Sequence, residues 1–145
     1  MSSTITALQT VAVAVATILD ASTALASVSG HAAPQCQRIG SAISEVLPQV
    51  LLQTLNAREA GGLLGSYLVD VELYALAPTM PDASALLAAA RDALTPLAFA
   101  AAGLDAVPEP GAPANSEPLD PEDVPFPEAE GVVTTLTLAV YLPSS

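Results

Sequence analysis

Few side chains in this sequence carry the chemistry that catalysis or metal binding needs, and those few are poorly placed for it. Asp70 and Glu72 stand two apart in a run that alternates apolar and polar residues, so both carboxylates fall on one face of a strand. Neighbouring carboxylates perturb one another's titration, which acid–base work exploits, but the same pair serves equally well as the polar face of a sheet. His31 and Cys36 are the sole histidine and the sole cysteine, too few for a structural zinc site. They read as two unrelated residues of a loop, with Cys36 a buried, inert thiol. Any Ser–His–Asp arrangement would have to use His31, and no Gly-x-Ser-x-Gly elbow surrounds a serine. Asp120-x-Glu122-Asp123 lacks the glycine and the spaced ligands of a calcium loop. Neither a phosphate loop nor a dinucleotide fingerprint occurs. The sequence therefore argues against an enzyme, and it offers no catalytic, cofactor-binding or metal-binding residue.

Charge narrows the partners. Fifteen acids stand against three arginines (Arg38, Arg58 and Arg91) and no lysine, a net charge of −12. Three arginines build no basic patch for a phosphate backbone, and the excess of acid opposes docking on anionic membranes. Such a charge keeps a protein soluble; it also suits a wall past which DNA slides without being held. The scarce cations Arg38 and Arg58 are candidates for pairing with acids of a neighbouring subunit.

The elements that position these residues follow from periodicity. At 145 residues the chain fits one domain, with a core built mostly of Ala, Val and Leu because aromatics make up only 3%. Small side chains bury little area each, so assembly with neighbours would add to stability. Ile5, Leu8, Ala12, Val15 and Leu19 recur at helical spacing and predict an amphipathic helix that frays over residues 20–30. This apolar run lacks the preceding positive charge of a secretory signal and falls short of the ~20 residues that span a bilayer, so it reads as a packed helix. Residues 31–37 read as loop, and residues 39–47 as a helical turn or an irregular strand. A strand is predicted over 49–55, a hairpin loop over 56–65 and a long strand over 67–76. Asp82 is placed as the N-cap of a helix over 83–94, which Pro96 stops. A weak strand over 98–107 follows. The segment 105–131 holds eight of the fifteen acids and seven of the thirteen prolines, and reads as an extended acidic loop inserted in the domain. The β-branched run 132–142 is a strand that pairs centrally with 67–76. The predicted fold is α+β, in the order α-β-β-α-β-β: a mostly antiparallel four-stranded sheet with two helices packed on it.

Four segments carry a resemblance to a known family: Leu47-Pro48-Gln49-Val50 entering the first strand, the run from Gly65 to Tyr74, the run from Asp82 to Leu94, and the closing strand from Val132 to Tyr141. In order and length these resemble the tail terminator and tail-completion proteins of long-tailed, siphovirus-like bacteriophages. The resemblance implies a homo-oligomeric, hexameric ring at the head-proximal end of the tail tube, assembled in the host cytoplasm and present in the virion at the tail–neck junction. Its partners would be the tail tube protein and the head–tail connector or stopper protein, with DNA passing an acidic lumen without specific binding and with no membrane involved. Asp70, Glu72, Arg38 and Arg58 are the candidate lumen or interface residues. The long acidic segment and the scarcity of cations depart from the family pattern. Two other readings stay open: a different phage neck or tail-tube component, and a non-viral acidic protein-interaction module.

Overall fold

A computed structural model describes residues 3–30, 35–38, 47–60, 65–108, 116–120, 122, 124 and 128–142. The expected 39–47 element falls almost wholly outside them, as do His31 and Asp123. The architecture is a helix layer on one face of a mixed sheet. The helices are α1 (Ser3–Ala21), α2 (Thr23–Ser29), α3 (Met80–Ala93) and α4 (Pro96–Ala101). The strands are β1 (Cys36–Arg38), β2 (Gln49–Glu59), β3 (Ser66–Ala77), β4 (Asp105–Pro108), β5 (Ser116–Pro118) and β6 (Glu130–Tyr141). The α+β class and the largely antiparallel pairing stand as expected. The expected four strands and two helices are corrected, among the described residues, to six strands and four helices, and β1 runs parallel to β2.

Strand order is β1-β2-β3-β6-β4, with β5 also on β6. β3 is the centre of the sheet, paired antiparallel along its length with β2 on one side and β6 on the other. Its alternation is the one predicted: Tyr67, Val69, Val71, Leu73 and Ala75 are buried, and the residues between them are partly exposed. This row meets Val132, Leu138 and Val140 of β6 and Val50 and Leu52 of β2 in one core beneath the helices. At roughly 25 cal/mol per Å² of apolar surface, burial of each valine and leucine among them contributes about 1.5–3 kcal/mol.

The helix layer departs from the sequence reading in ways that capping explains. α1 buries Ala7, Val11, Ala12, Ala14, Val15 and Leu19 and leaves Ile5 56% exposed, so its buried stripe is rotated from the predicted one. No charged residue occurs over residues 3–19 to choose between the stripes. The segment Thr4–Ala21 is long and apolar enough to cross a bilayer, but here its apolar stripe joins the core against the sheet. The expected fraying is replaced by α2. The Ser22 hydroxyl accepts from the Leu25 amide at 3.1 Å, and Gly30, at φ +77°, ends the helix in the left-handed region. α3 starts before Asp82 because Thr79 is its N-cap, accepting from the Asp82 amide, while Pro81 sits in the first turn where no N–H is needed. Pro96 does break the helix as predicted. With Thr95 as N-cap it also begins α4, where a strand was expected, and α4 buries Phe99.

The acidic segment 105–131 is partly sheet. β4 pairs with Leu138 to Tyr141 of β6 and β5 with Val132 to Thr134. Beyond β5 the chain folds back across the far face of the sheet, where Leu119, Val124 and Ala129 pack with Leu47 and Tyr74 around the buried Leu51 and Leu76. Gly131 leaves room for this cover. A Cβ there would stand 2.6 Å from a Leu119 methyl and 2.8 Å from a Leu76 methyl.

Gly65 is the stricter requirement. Its φ is +86°, its carbonyl accepts from the Leu142 amide at 2.7 Å, and a Cβ would stand 2.5 Å from the Leu142 carbonyl oxygen, a backbone atom with no freedom to yield. Gly65→Ala is expected to cost about 2 kcal/mol or more, read as a lower denaturant midpoint with an unchanged slope.

Candidate interaction face

The face of the sheet turned away from the helices carries three of the four predicted site residues, Asp70, Glu72 and Arg58, and a β-bulge brings Arg58 to it. From Gln49 to Thr54, β2 alternates in step with β3; the register then slips, so that Thr54 faces Val71 and Asn56 faces Asp70. Leu55 is the extra residue and is 45% exposed. A one-residue slip exchanges the two faces of everything that follows. Without the bulge, Asn56 and Arg58 would point toward the helix layer. With it they join Asp70.

Asp70 is the hub. Its Oδ2 accepts from Arg58 and from Asn56 Nδ2, each at 3.0 Å, and its Oδ1 accepts from the Thr137 hydroxyl of β6 at 2.7 Å. Three adjacent strands are thus cross-linked by polar side chains at one level. The Arg58 and Asp70 side chains are 48% and 20% exposed, so solvent screens the ion pair and its contribution is modest. One level along, Glu72 lies between Gln53 and Thr135 and accepts from the Tyr74 hydroxyl. Asp70 and Glu72 therefore share a face as predicted, each with its own partners. Arg58 neutralises Asp70 within the same chain. Among the described residues, no ion pair neutralises Glu72, the other carboxylate of this polar band.

Arg38 is not brought to this group. It ends the edge strand β1, exposed, at the level of Leu52. Sequence reasoning missed Asn56, assigned to a loop, and Thr137, visible only as one of several alternating threonines. Among the described residues no cluster of three or more His, Cys, Asp or Glu side chains is arranged to hold a metal.

Cys36 is buried, as read from the sequence. Its backbone amide and that of Gln35 donate to Asp20 Oδ1 at 2.9 and 3.0 Å, tying the end of α1 to β1. Burial, reinforced by the nearby Asp20 carboxylate, pushes the thiol up to about 12.

No model of a known protein family matches the sequence, and a search of curated proteins finds no relative. The fold does have a counterpart among solved structures. A chain of the virion of a native gene transfer agent particle superposes with a TM-score of 0.58 at 15% identity, covering 88% of this chain and 92% of that one. At that identity the likeness is one of fold.

Two outcomes follow from this geometry. A double-mutant cycle on Arg58→Ala and Asp70→Ala is expected to give a coupling of about 0.2–1 kcal/mol in urea unfolding, the range of exposed pairs. Cys36 is expected to resist a thiol reagent at mildly alkaline pH until the chain unfolds. Because the folded thiol keeps its proton to about 12 while an unfolded one loses it near 9.0, the folded state binds more protons across that window. This group's contribution therefore lowers stability as pH rises through the window, by about 1.4 kcal/mol per pH unit, and Cys36→Ser should abolish that part of the slope.

Proposed function

We propose that this chain is a structural, non-enzymatic virion subunit: a tail terminator that forms a ring at the head-proximal end of a phage tail tube. There it would end tube polymerisation and join the tail to the head connector. The observation that carries this reading is the fold, shared over nearly the whole of both chains with a component of a virion particle. The order and length of the segments that resemble tail terminators support the finer assignment, as does the net charge of −12.

In this reading the polar band of the sheet faces the lumen. Glu72 supplies charge within the band. Asp105, Glu117 and Glu130, all exposed, add charge along the adjoining edge. Asp70, paired with Arg58, holds the wall together more than it repels DNA. A lumen wall of this kind presents carboxylates and hydroxyls, and its arginine, Arg58, is already paired with Asp70, so a duplex would pass without a strong sequence-independent anchor. The same fold likeness supports a second reading, a different neck or tail-tube component.

Electron microscopy of lysates from the encoding phage with this gene disrupted separates the two. Termination predicts filled heads beside overlong, unjoined tails. Heads with no tails would assign the chain to the tube or to an earlier assembly step, and normal virions would overturn both readings.

A further inference from the structure

We propose that the groove where β3, β6 and β4 meet at one end of the sheet docks an arginine side chain of a different protein, held by the Asp105 carboxylate and the Tyr141 ring. The inference goes beyond the virion reading and does not depend on which neck or tube component the chain is.

One row of paired residues builds the site. Tyr141 of β6 stands between Ser66 of β3 and Asp105 of β4, each its direct partner in the register. Paired residues share a face, so a hydroxyl, a phenol ring and a carboxylate lie side by side on the face turned away from the helices. In the adjoining row, Tyr67, Val140 and Ala106 are buried on the helix side. Ser66, Asp105 and Tyr141, with Ala60 and Ala139, are among the residues that line a groove of about 430 Å³. The three tyrosines of the chain differ in their surroundings: Tyr67 is buried, Tyr74 donates to Glu72, and Tyr141 is 43% exposed. Its ring is nonetheless well seated. The adjoining Leu142 amide donates to the Gly65 carbonyl at 2.7 Å, and Tyr141 Cε1 lies 3.4 Å from where a Gly65 Cβ would stand. Ring and carboxylate are thus preorganised, which lowers the cost of binding.

Charge and chemistry select the occupant. Asp105 is exposed, and among the described residues no ion pair neutralises it. None of the chain's three arginines lines the groove. Arg58 is committed to Asp70 at 3.0 Å, Arg38 ends β1 at the far edge of the sheet, and Arg91 lies on α3 in the helix layer. In a chain of net charge −12, a cation from outside is what complements such a site. A guanidinium suits it better than an ammonium. Its planar face stacks on a tyrosine ring while its edge donates parallel hydrogen bonds to a carboxylate. An acidic occupant would be repelled by Asp105, and an apolar one would strip water from that carboxylate and return nothing.

The test is titration of the full chain with N-acetyl-arginine amide, read by backbone amide NMR shifts. Saturable shifts are expected at Ser66, Asp105 and Tyr141, in the millimolar range of a single exposed contact and weakening with added salt. The neutral isostere N-acetyl-citrulline amide is expected to leave them in place. Asp105→Asn and Tyr141→Leu are each expected to weaken binding about two- to fivefold, and the double variant about tenfold. Asp92→Asn removes an exposed acid from α3 and is expected to leave binding unchanged, which separates the groove from net charge. The same spectra establish that each variant is folded. Citrulline that binds as well as arginine, or an Asp105→Asn protein that binds like the wild type, would overturn the proposal. An equal loss in Asp92→Asn would also overturn it, because the shifts would then report overall charge alone. Shifts at Asp105 and Tyr141 that depend on protein concentration without the probe, and vanish in Arg38→Gln or Arg91→Gln, would give the groove to a second copy and overturn the assignment to a different protein. None of these outcomes touches the virion reading, which the tail morphology decides.

Discussion

Everything in this fold is arranged around one fully paired strand. β3 runs from Ser66 to Ala77 with a partner on each side, and its row from Tyr67 to Ala75 is covered by the helix layer. A strand in that position satisfies its backbone on both edges and buries every second side chain, so its two faces cannot be exchanged without exposing five apolar residues. The register of β2 and β6, the seat of α1 and α3 and the level of Asp70 and Glu72 are all fixed relative to it. The core itself is modest, rich in Ala, Val and Leu and with Phe99 as a rare buried aromatic. This leaves the fold dependent on fit, as at Gly65 and Gly131, more than on large hydrophobic side chains.

The face opposite the helices is divided along its length. At one end the chain following β5 covers Leu51 and Leu76 with a small apolar cluster. In the middle lies the polar band of Asp70, Arg58, Asn56 and Thr137, with Glu72 one level on. At the other end Ala139 and Tyr141 line a groove. The segment that looked like a free acidic loop thus has a structural task. It supplies β4 and β5 to the edge of β6 and returns to seal part of the sheet, and its described carboxylates, such as Asp105, Glu117 and Glu128, are exposed.

The sequence by itself determined the strands whose alternation is strict. β3 was legible because Val69, Val71 and Leu73 alternate with Asp70, Glu72 and Tyr74, and β6 because of its β-branched content, and the regularity of β6 placed it beside β3. The break at Pro96 was legible because proline disfavours helical geometry in the residue before it. α1 was legible as a helix, yet its buried stripe was not: residues 3–19 carry no charge, so two apolar stripes competed and only packing against the sheet selected Val11 and Ala14 over Ile5. Short strands such as β1, β4 and β5 have too few residues for a period to show; they exist because β2 and β6 offer open edges that pair them. The sharpest limit is Leu55. Nothing in the local pattern announces a bulge there, and the sequence reading ends the strand at 55 and takes 56–65 as a hairpin loop, whereas β2 continues to Glu59. The register between β2 and β3 is a property of the whole sheet, set by the two apolar rows it must align. That tertiary constraint, not any local preference, turned Arg58 and Asn56 onto the face where Asp70 was already waiting.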